Sequence, residues 1–162
     1  MEIKKITICY EEYEEGEKLL TSDSILIDHA AKALVGSYAP YSNFHVGAAL
    51  MLDDGKIVSG ANQENAAYPS GLCAERVAIF YANSKYHDMA INSLAITVKA
   101  KDFTCDDPIS PCGACRQVIA ETENRQKKPI RIILTGEKGV TRIFNGIESL
   151  LPVMFYEEKL KK

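Results

Sequence analysis

Short stretches of alternating apolar and polar residues are separated along this chain by segments with helical spacing. Ile3, Ile6, Ile8 and Tyr10 make an imperfect alternation that predicts a short strand, and the acidic stretch Glu11 to Glu17 reads as a turn or frayed connection. Thr21, Ser22 and Asp23 offer N-caps to a helix with the apolar set Ile25, Leu26, Ala30, Ala33 and Leu34, stopped by Gly36. Ser37 to Asn43, with Pro40, reads as a loop. Val46 to Leu52 and Lys56 to Ala61 flank Asp53-Asp54-Gly55, a hairpin signal. Gly60 to Gly71 is polar and irregular. A helix starts near Cys73 and runs through Val77, Ile79, Phe80 and Tyr81, and the β-branched run Leu94 to Lys99 predicts a central strand. Pro111 precedes a second helix with Cys112, Cys115, Val118 and Ile119. Arg131 to Leu134 and Val140 to Phe144 are two further strands, and Ile147 to Leu160 is expected to be partly helical.

Strands alternating with helices predict an α/β fold, a three-layer α-β-α sandwich around a central mixed five-stranded sheet. The N-terminal alternation is a candidate extra strand. A length of 162 residues suits one domain with a core of its own, here residues 21–162, with residues 1–20 as an N-terminal appendage. With 46% hydrophobic and 25% charged residues, neither a disordered nor a fibrous class fits. No apolar run reaches the roughly 18 residues of a membrane span. Met1 to Lys5 lacks the pattern of a secretory signal, so the chain is expected in the cytoplasm. The net charge is -3, and the small clusters Lys127-Lys128 and Lys159 to Lys162 read as solvated surface. The lack of a basic stripe weighs against a nucleic-acid polymer as partner.

Cysteine usage changes the picture most. The five thiols, Cys9, Cys73, Cys105, Cys112 and Cys115, are odd in number and argue against a disulfide framework. Cys112 and Cys115 stand three apart at a helix start, so both sulfurs can reach one ion. Cys73 also falls at a helix start, and helix N-termini favour thiolates. Alone, the Cys-x-x-Cys pair reads equally as a redox pair or as half of a structural zinc site. A structural site requires a fourth ligand from Cys9, Cys105, His29, His45 or His87, and a redox pair leaves Glu75 unexplained. Three protein ligands with an open fourth position make a catalytic zinc centre.

Cys73-Ala74-Glu75 followed by Pro111-Cys112-Gly113-Ala114-Cys115 is the three-cysteine form of the zinc deaminase signature, in which a glutamate that is not a ligand carries protons. The chain further resembles cytidine deaminases of the small homotetrameric type. The resemblance runs from about Ile25 to Phe155. It rests on Tyr38-Ala39-Pro40-Tyr41-Ser42-Asn43-Phe44, Val46-Gly47-Ala48-Ala49, Asn62-Gln63-Glu64-Asn65-Ala66-Ala67-Tyr68, Cys73-Ala74-Glu75-Arg76 and Ser110-Pro111-Cys112-Gly113-Ala114-Cys115-Arg116-Gln117.

This resemblance implies one zinc ion per chain on Cys73, Cys112 and Cys115, and a homotetramer with active sites shared between subunits. It implies hydrolytic deamination of free cytidine and deoxycytidine in pyrimidine salvage, with Glu75 moving protons from water to ring N3 and the departing amine. It further implies that Arg76 donates hydrogen bonds to the ligand thiolates. Asn62 and Glu64 would grip the sugar hydroxyls, the carboxylate accepting and the amide doing both. Phe44 would lie against the pyrimidine, and Phe155 would cover the base from a neighbouring subunit. Ala66 and Tyr68 would complete the pocket across an interface. The backbones of Ala74 and Ser110 would read O2 and the amino group of the base. Two rivals stay open on the residues alone: a deaminase of another substrate on the same fold, and a structural zinc module without catalysis.

Overall fold

The computed structural model describes residues 1–156 together with Leu160. Six strands form one sheet: β1 (Glu11–Tyr13), β2 (Phe44–Leu52), β3 (Ile57–Ala61), β4 (Ile91–Ala100), β5 (Arg131–Thr135) and β6 (Thr141–Asn145). Their order across the sheet is β1-β6-β5-β4-β2-β3. Only β4 and β5 pair in parallel. The predicted mixed sheet is therefore present, with the extra strand at its edge.

Period-two alternation divides the side chains between two cores. Ala48, Leu50, Leu94, Ile96, Ile132 and Leu134 pack beneath α2 (Ala74–Lys85) and α3 (Gly113–Gln126). Ala49, Ala95, Ile133 and Ile143 pack on the other side against Leu26 and Ala30 of α1 (Thr21–Ala33). Two glycines let the layers approach. A Cβ at Gly47 would sit 2.0 Å from the Ala30 carbonyl oxygen, and one at Gly60 would sit 2.7 Å from the Ala78 nitrogen. Such contacts lie far inside van der Waals distance, so both positions require the hydrogen side chain.

β3 and β4 both run antiparallel to β2 and hence parallel to each other. The crossovers from β3 to β4 and from β4 to β5 carry α2 and α3 on the same face. Both helices therefore begin beyond the carboxyl ends of parallel strands, the usual place for a ligand crevice in an open α/β sheet.

Three expectations differ from what is found. The N-terminal strand is not Ile3 to Tyr10, which is irregular, but Glu11–Tyr13 within the acidic stretch. Its alternating apolar residues pack little, with Ile3, Ile6 and Ile8 at least half exposed. What holds β1 is charge: Arg131 on β5 donates to Glu11 at 3.1 and 3.3 Å and to Asp23 at 3.0 and 3.2 Å. This commitment also explains why Asp23 caps nothing. Leu20 occupies the N-cap of α1 and no side chain bonds there. At the C-terminus, the segment expected to be partly helical forms a 3-10 turn at Ile147–Ser149; residues 150–156 are not helical, Leu160 is in 3-10 conformation, and 157–159 lie outside the described residues.

The Arg131 fork gives a testable stability term. Asp23 is 2% exposed, so Arg131→Met strands a buried carboxylate and should cost about 3 kcal/mol in urea denaturation at neutral pH. Arg131 also holds the Glu11 carboxyl below its usual range. A depressed carboxyl stabilises fully above its unfolded pKa, about 4.3, and loses that contribution as pH falls through the folded value. The gap between wild type and Arg131→Met should therefore narrow in acid; a gap that widened would refute the assignment.

Candidate active site

Two long loops, 62–72 and 101–111, lead from the strand ends into the helix starts. Cys73 is the N-cap of α2 and Cys112 the N-cap of α3, each with extended backbone and no side-chain capping bond. Their sulfurs are thus free to turn toward each other at the positive ends of two helices. The Sγ atoms of Cys73 and Cys112 are 3.7 Å apart, and those of Cys112 and Cys115 are 3.5 Å apart. All three lie within 4.8 Å of one another. Among the described residues no other group of His, Cys, Asp and Glu comes together in this way. Cys9 is exposed and Cys105 is buried elsewhere, packed beside Val98 and Ala100.

The donor set fits zinc. Tetrahedral Zn–S bonds of about 2.3 Å place sulfurs about 3.8 Å apart, close to the spacing here. Hydrogen bonding from Cys115 brings the Cys73 thiol down to about 5, aided by Arg76, although burial opposes it. The shared bond with Cys73 and burial push Cys115 the other way. Arg76 Nη2 donates to Cys73 Sγ at 3.6 Å, and its buried Nε has no partner. Three thiolates on a divalent ion leave one net negative charge, which this guanidinium offsets.

A cavity of about 730 Å³ opens beside the cysteines. Cys73, Cys112, Glu75 and Arg76 form one wall, and Phe44, Asn62, Glu64, Tyr68 and Ser110 contribute to the rest. Glu75, in the first turn of α2, is 4% exposed. Burial pushes its carboxyl above the ordinary value, and the nearby Cys73 charge adds to that. A carboxyl so placed can hold or release a proton closer to neutrality.

Glu64 is already engaged. It accepts from the Tyr41 peptide N–H at 2.9 Å and the Ser42 hydroxyl at 2.5 Å. The hydroxyl and then the peptide N–H hold its carboxyl below the usual range. Asn43, in left-handed backbone at φ 53°, turns the chain from this clasp into β2, where Phe44 faces the cavity. The Asn62 amide likewise has internal partners: Nδ2 donates to the Phe44 carbonyl at 2.9 Å, while Oδ1 accepts from the Val46 N–H at 2.8 Å and the Ser37 hydroxyl at 2.6 Å. Its oxygen is filled, so toward a ligand it can donate but not accept, unlike the dual role the sequence suggested.

Other expected site residues lie off the cavity wall. Cys115 sits fully buried behind it, and Ala74 is also fully buried. Ala66 is exposed in the loop before Tyr68. The Phe155 ring is 56% exposed, and its carbonyl accepts from Gln117 at 3.0 Å. Sequence reasoning gave no role to Ser37 or Ser42, although Ser42 lies within a quoted motif, and considered His45 only as a fourth ligand of a structural zinc site.

The family model described as "Cytidine and deoxycytidylate deaminase zinc-binding region" matches residues 20–128, a span that includes both cysteine motifs. The chain belongs to this family. Among deaminases, a cytidine deaminase of Sporosarcina psychrophila is 44% identical over 135 residues, spanning 83% of this chain and 92% of that protein. Another, of Halalkalibacterium halodurans, is 48% identical over 97 residues, spanning 60% of this chain and 69% of that protein. A crystal structure of cytidine deaminase from Burkholderia pseudomallei, 39% identical, superposes with a TM-score of 0.70 over 82% of this chain and 98% of that one. The fold is thus the cytidine deaminase fold, here with a six-stranded sheet.

Proposed function

We propose that this deaminase family member converts free cytidine and deoxycytidine to uridine and deoxyuridine by zinc-dependent hydrolysis, releasing ammonia. The observation that carries the reading is one cavity with Cys73 and Cys112 of the three-cysteine cluster and buried Glu75 on one wall and a polar Asn62–Glu64 pair on another. Zinc held by Cys73, Cys112 and Cys115 supplies the Lewis acid that lets water ionise near neutral pH. Glu75 takes the proton from water and hands it to ring N3, so that C4 becomes electrophilic. The hydroxide oxygen bonds to C4. Glu75 then takes the remaining hydroxyl proton and delivers it to the amino group as the C4–N bond breaks, C4=O forms and ammonia leaves, which restores its own proton count in each cycle. Phe44 lies against the base, the Ala74 backbone addresses O2 and the Ser110 backbone addresses the amino group. Arg76 steadies the thiolates, and Asn62 with Glu64 orients the sugar.

The same reading takes residues 21–162 as the catalytic domain and residues 1–20 as an appendage docked through Glu11. It also takes the enzyme to be a cytoplasmic homotetramer serving pyrimidine salvage, with Ala66, Tyr68 and Phe155 reaching across subunit boundaries. Support comes from Tyr68, 79% exposed although it lines the cavity, and from the exposed Phe155 ring. No helix among the described residues is long and apolar enough to cross a membrane.

Ammonia release from cytidine, deoxycytidine, cytosine and a cytidine oligonucleotide tests the substrate. The two nucleosides should give the highest kcat/KM. Turnover confined to the oligonucleotide or to the free base would overturn the assignment.

A further inference from the structure

The orientation of the Asn62 amide is set by groups that cannot exchange roles. A backbone carbonyl only accepts and a backbone N–H only donates, so the Phe44 carbonyl at 2.9 Å identifies Nδ2 and the Val46 N–H at 2.8 Å identifies Oδ1. With Oδ1 an acceptor, Ser37 must donate its only hydroxyl proton to it across 2.6 Å. The Ser37 oxygen then has only lone pairs to offer His45 Nδ1, 3.0 Å away. That contact is a hydrogen bond only when Nδ1 carries a proton.

We propose that His45 and Ser37 form a positioning relay that fills the second lone pair of Asn62 Oδ1, so that Asn62, oriented by the backbone, meets the cavity as a donor alone and shares one sugar hydroxyl with the accepting Glu64. The inference rests on the nucleoside reading above and adds to it the two residues that set sugar recognition. Neither relay residue lines the cavity. His45 projects from the opposite face of β2 to Phe44 and Val46, on the side that carries α1.

An account of donors and acceptors gives the specificity. Both lone pairs of Oδ1 are filled and one Nδ2 hydrogen is committed, so one donor remains. Glu64 accepts from the Tyr41 N–H, the Ser42 N–H and the Ser42 hydroxyl, which leaves room for one further donor. One donor beside one acceptor matches a hydroxyl. An ether or ketone would leave the remaining acceptor site of the carboxylate unfilled, and an ammonium would set donor against donor at Asn62. Without Ser37, half of the acceptor capacity of Oδ1 is empty, so the amide can accept as well as donate, and one of the three contacts that hold it in place is lost.

Steady-state kinetics of Ser37→Ala and His45→Leu on cytidine, 2′-deoxycytidine and 3′-deoxycytidine test the relay. Each variant should lower kcat/KM for cytidine about ten-fold, mainly through KM. The deoxynucleoside lacking the hydroxyl served by Asn62 should be poor for wild type and indifferent to both substitutions. His45→Asn, which returns an N–H donor near the position of Nδ1, should recover most of the loss. A uniform loss across all three nucleosides, or no loss on any, would overturn the relay, since a merely structural role predicts the first and an idle contact the second. The nitrogen NMR spectrum of His45 should show a protonated Nδ1, and a bare Nδ1 would overturn the relay independently. A wild-type chain inert toward all three nucleosides would instead refute the substrate reading, while the His45 spectrum still decides the relay.

Discussion

Glu75→Gln should yield a folded, zinc-loaded protein whose cytidine turnover is lower by at least about 10²- to 10⁴-fold, the range of a lost general acid–base group. Glutamine matches the buried carboxyl in size and can still fill its 4% exposed site, but it can neither take a proton from water nor deliver one to N3. The stability outcome separates this from damage. Burial raises the Glu75 carboxyl above its ordinary value, so at neutral pH the native state bears a cost for the charged form. A carboxyl with a raised folded pKa destabilises increasingly as pH climbs through that value, and a neutral amide removes the penalty. The variant should melt no lower than wild type near pH 7 with zinc content unchanged. Substantial turnover by a zinc-loaded Glu75→Gln enzyme would remove Glu75 from the proton path.

Cys115→Ser should abolish stoichiometric zinc and activity together. Cys115 is fully buried and 3.5 Å from Cys112, and among the described residues no further His, Cys, Asp or Glu joins the cluster to replace its sulfur. Two remaining thiolates cannot build the three-ligand site of a catalytic zinc. Because ligands that bind only the native state stabilise it by mass action, the loss should also lower the thermal midpoint, and chelation of wild type should reproduce much of that drop. Cys105→Ser supplies the contrast: Cys105 is a buried thiol outside the cluster, so zinc per chain by elemental analysis and kcat should stay near wild type, with at most a modest loss of stability. A fully zinc-loaded, active Cys115→Ser protein would show that the metal sits elsewhere.

Features carried by neighbouring residues could be read from the sequence. The Asp53-Asp54-Gly55 turn marked β2 and β3, the β-branched run Leu94 to Lys99 marked β4, Arg131 to Leu134 and Val140 to Phe144 marked β5 and β6, and Cys73 and Cys112 stand within a residue of the expected helix starts. The errors share a physical origin in long-range polar contacts. Arg131 reaches Glu11 across 120 positions and Asp23 across 108, which moves the edge strand into the acidic stretch and takes Asp23 away from the cap of α1. The site divides in the same manner. Its metal ligands and proton carrier lie in two compact motifs. The hydrogen-bonding capacity of Asn62 depends on Ser37, 25 positions away, and on a histidine paired with that serine, which local spacing does not reveal.

The short β1 strand also determines what the rest of the sheet offers to other chains. Without it, β6 from Thr141 to Asn145 would become the terminal strand, with Ile143 central and a row of peptide groups open to pairing. Exposed rows of this kind invite strand addition, domain swapping and fibrillar aggregation. Three residues suffice as a cover because two of them are charged: Glu12 pairs with Arg142, as Glu11 does with Arg131. A further strand approaching that border would meet carboxylates rather than an apolar edge. The carboxylates of β1 thereby blunt this edge against strand addition, on the side of the sheet farthest from β3.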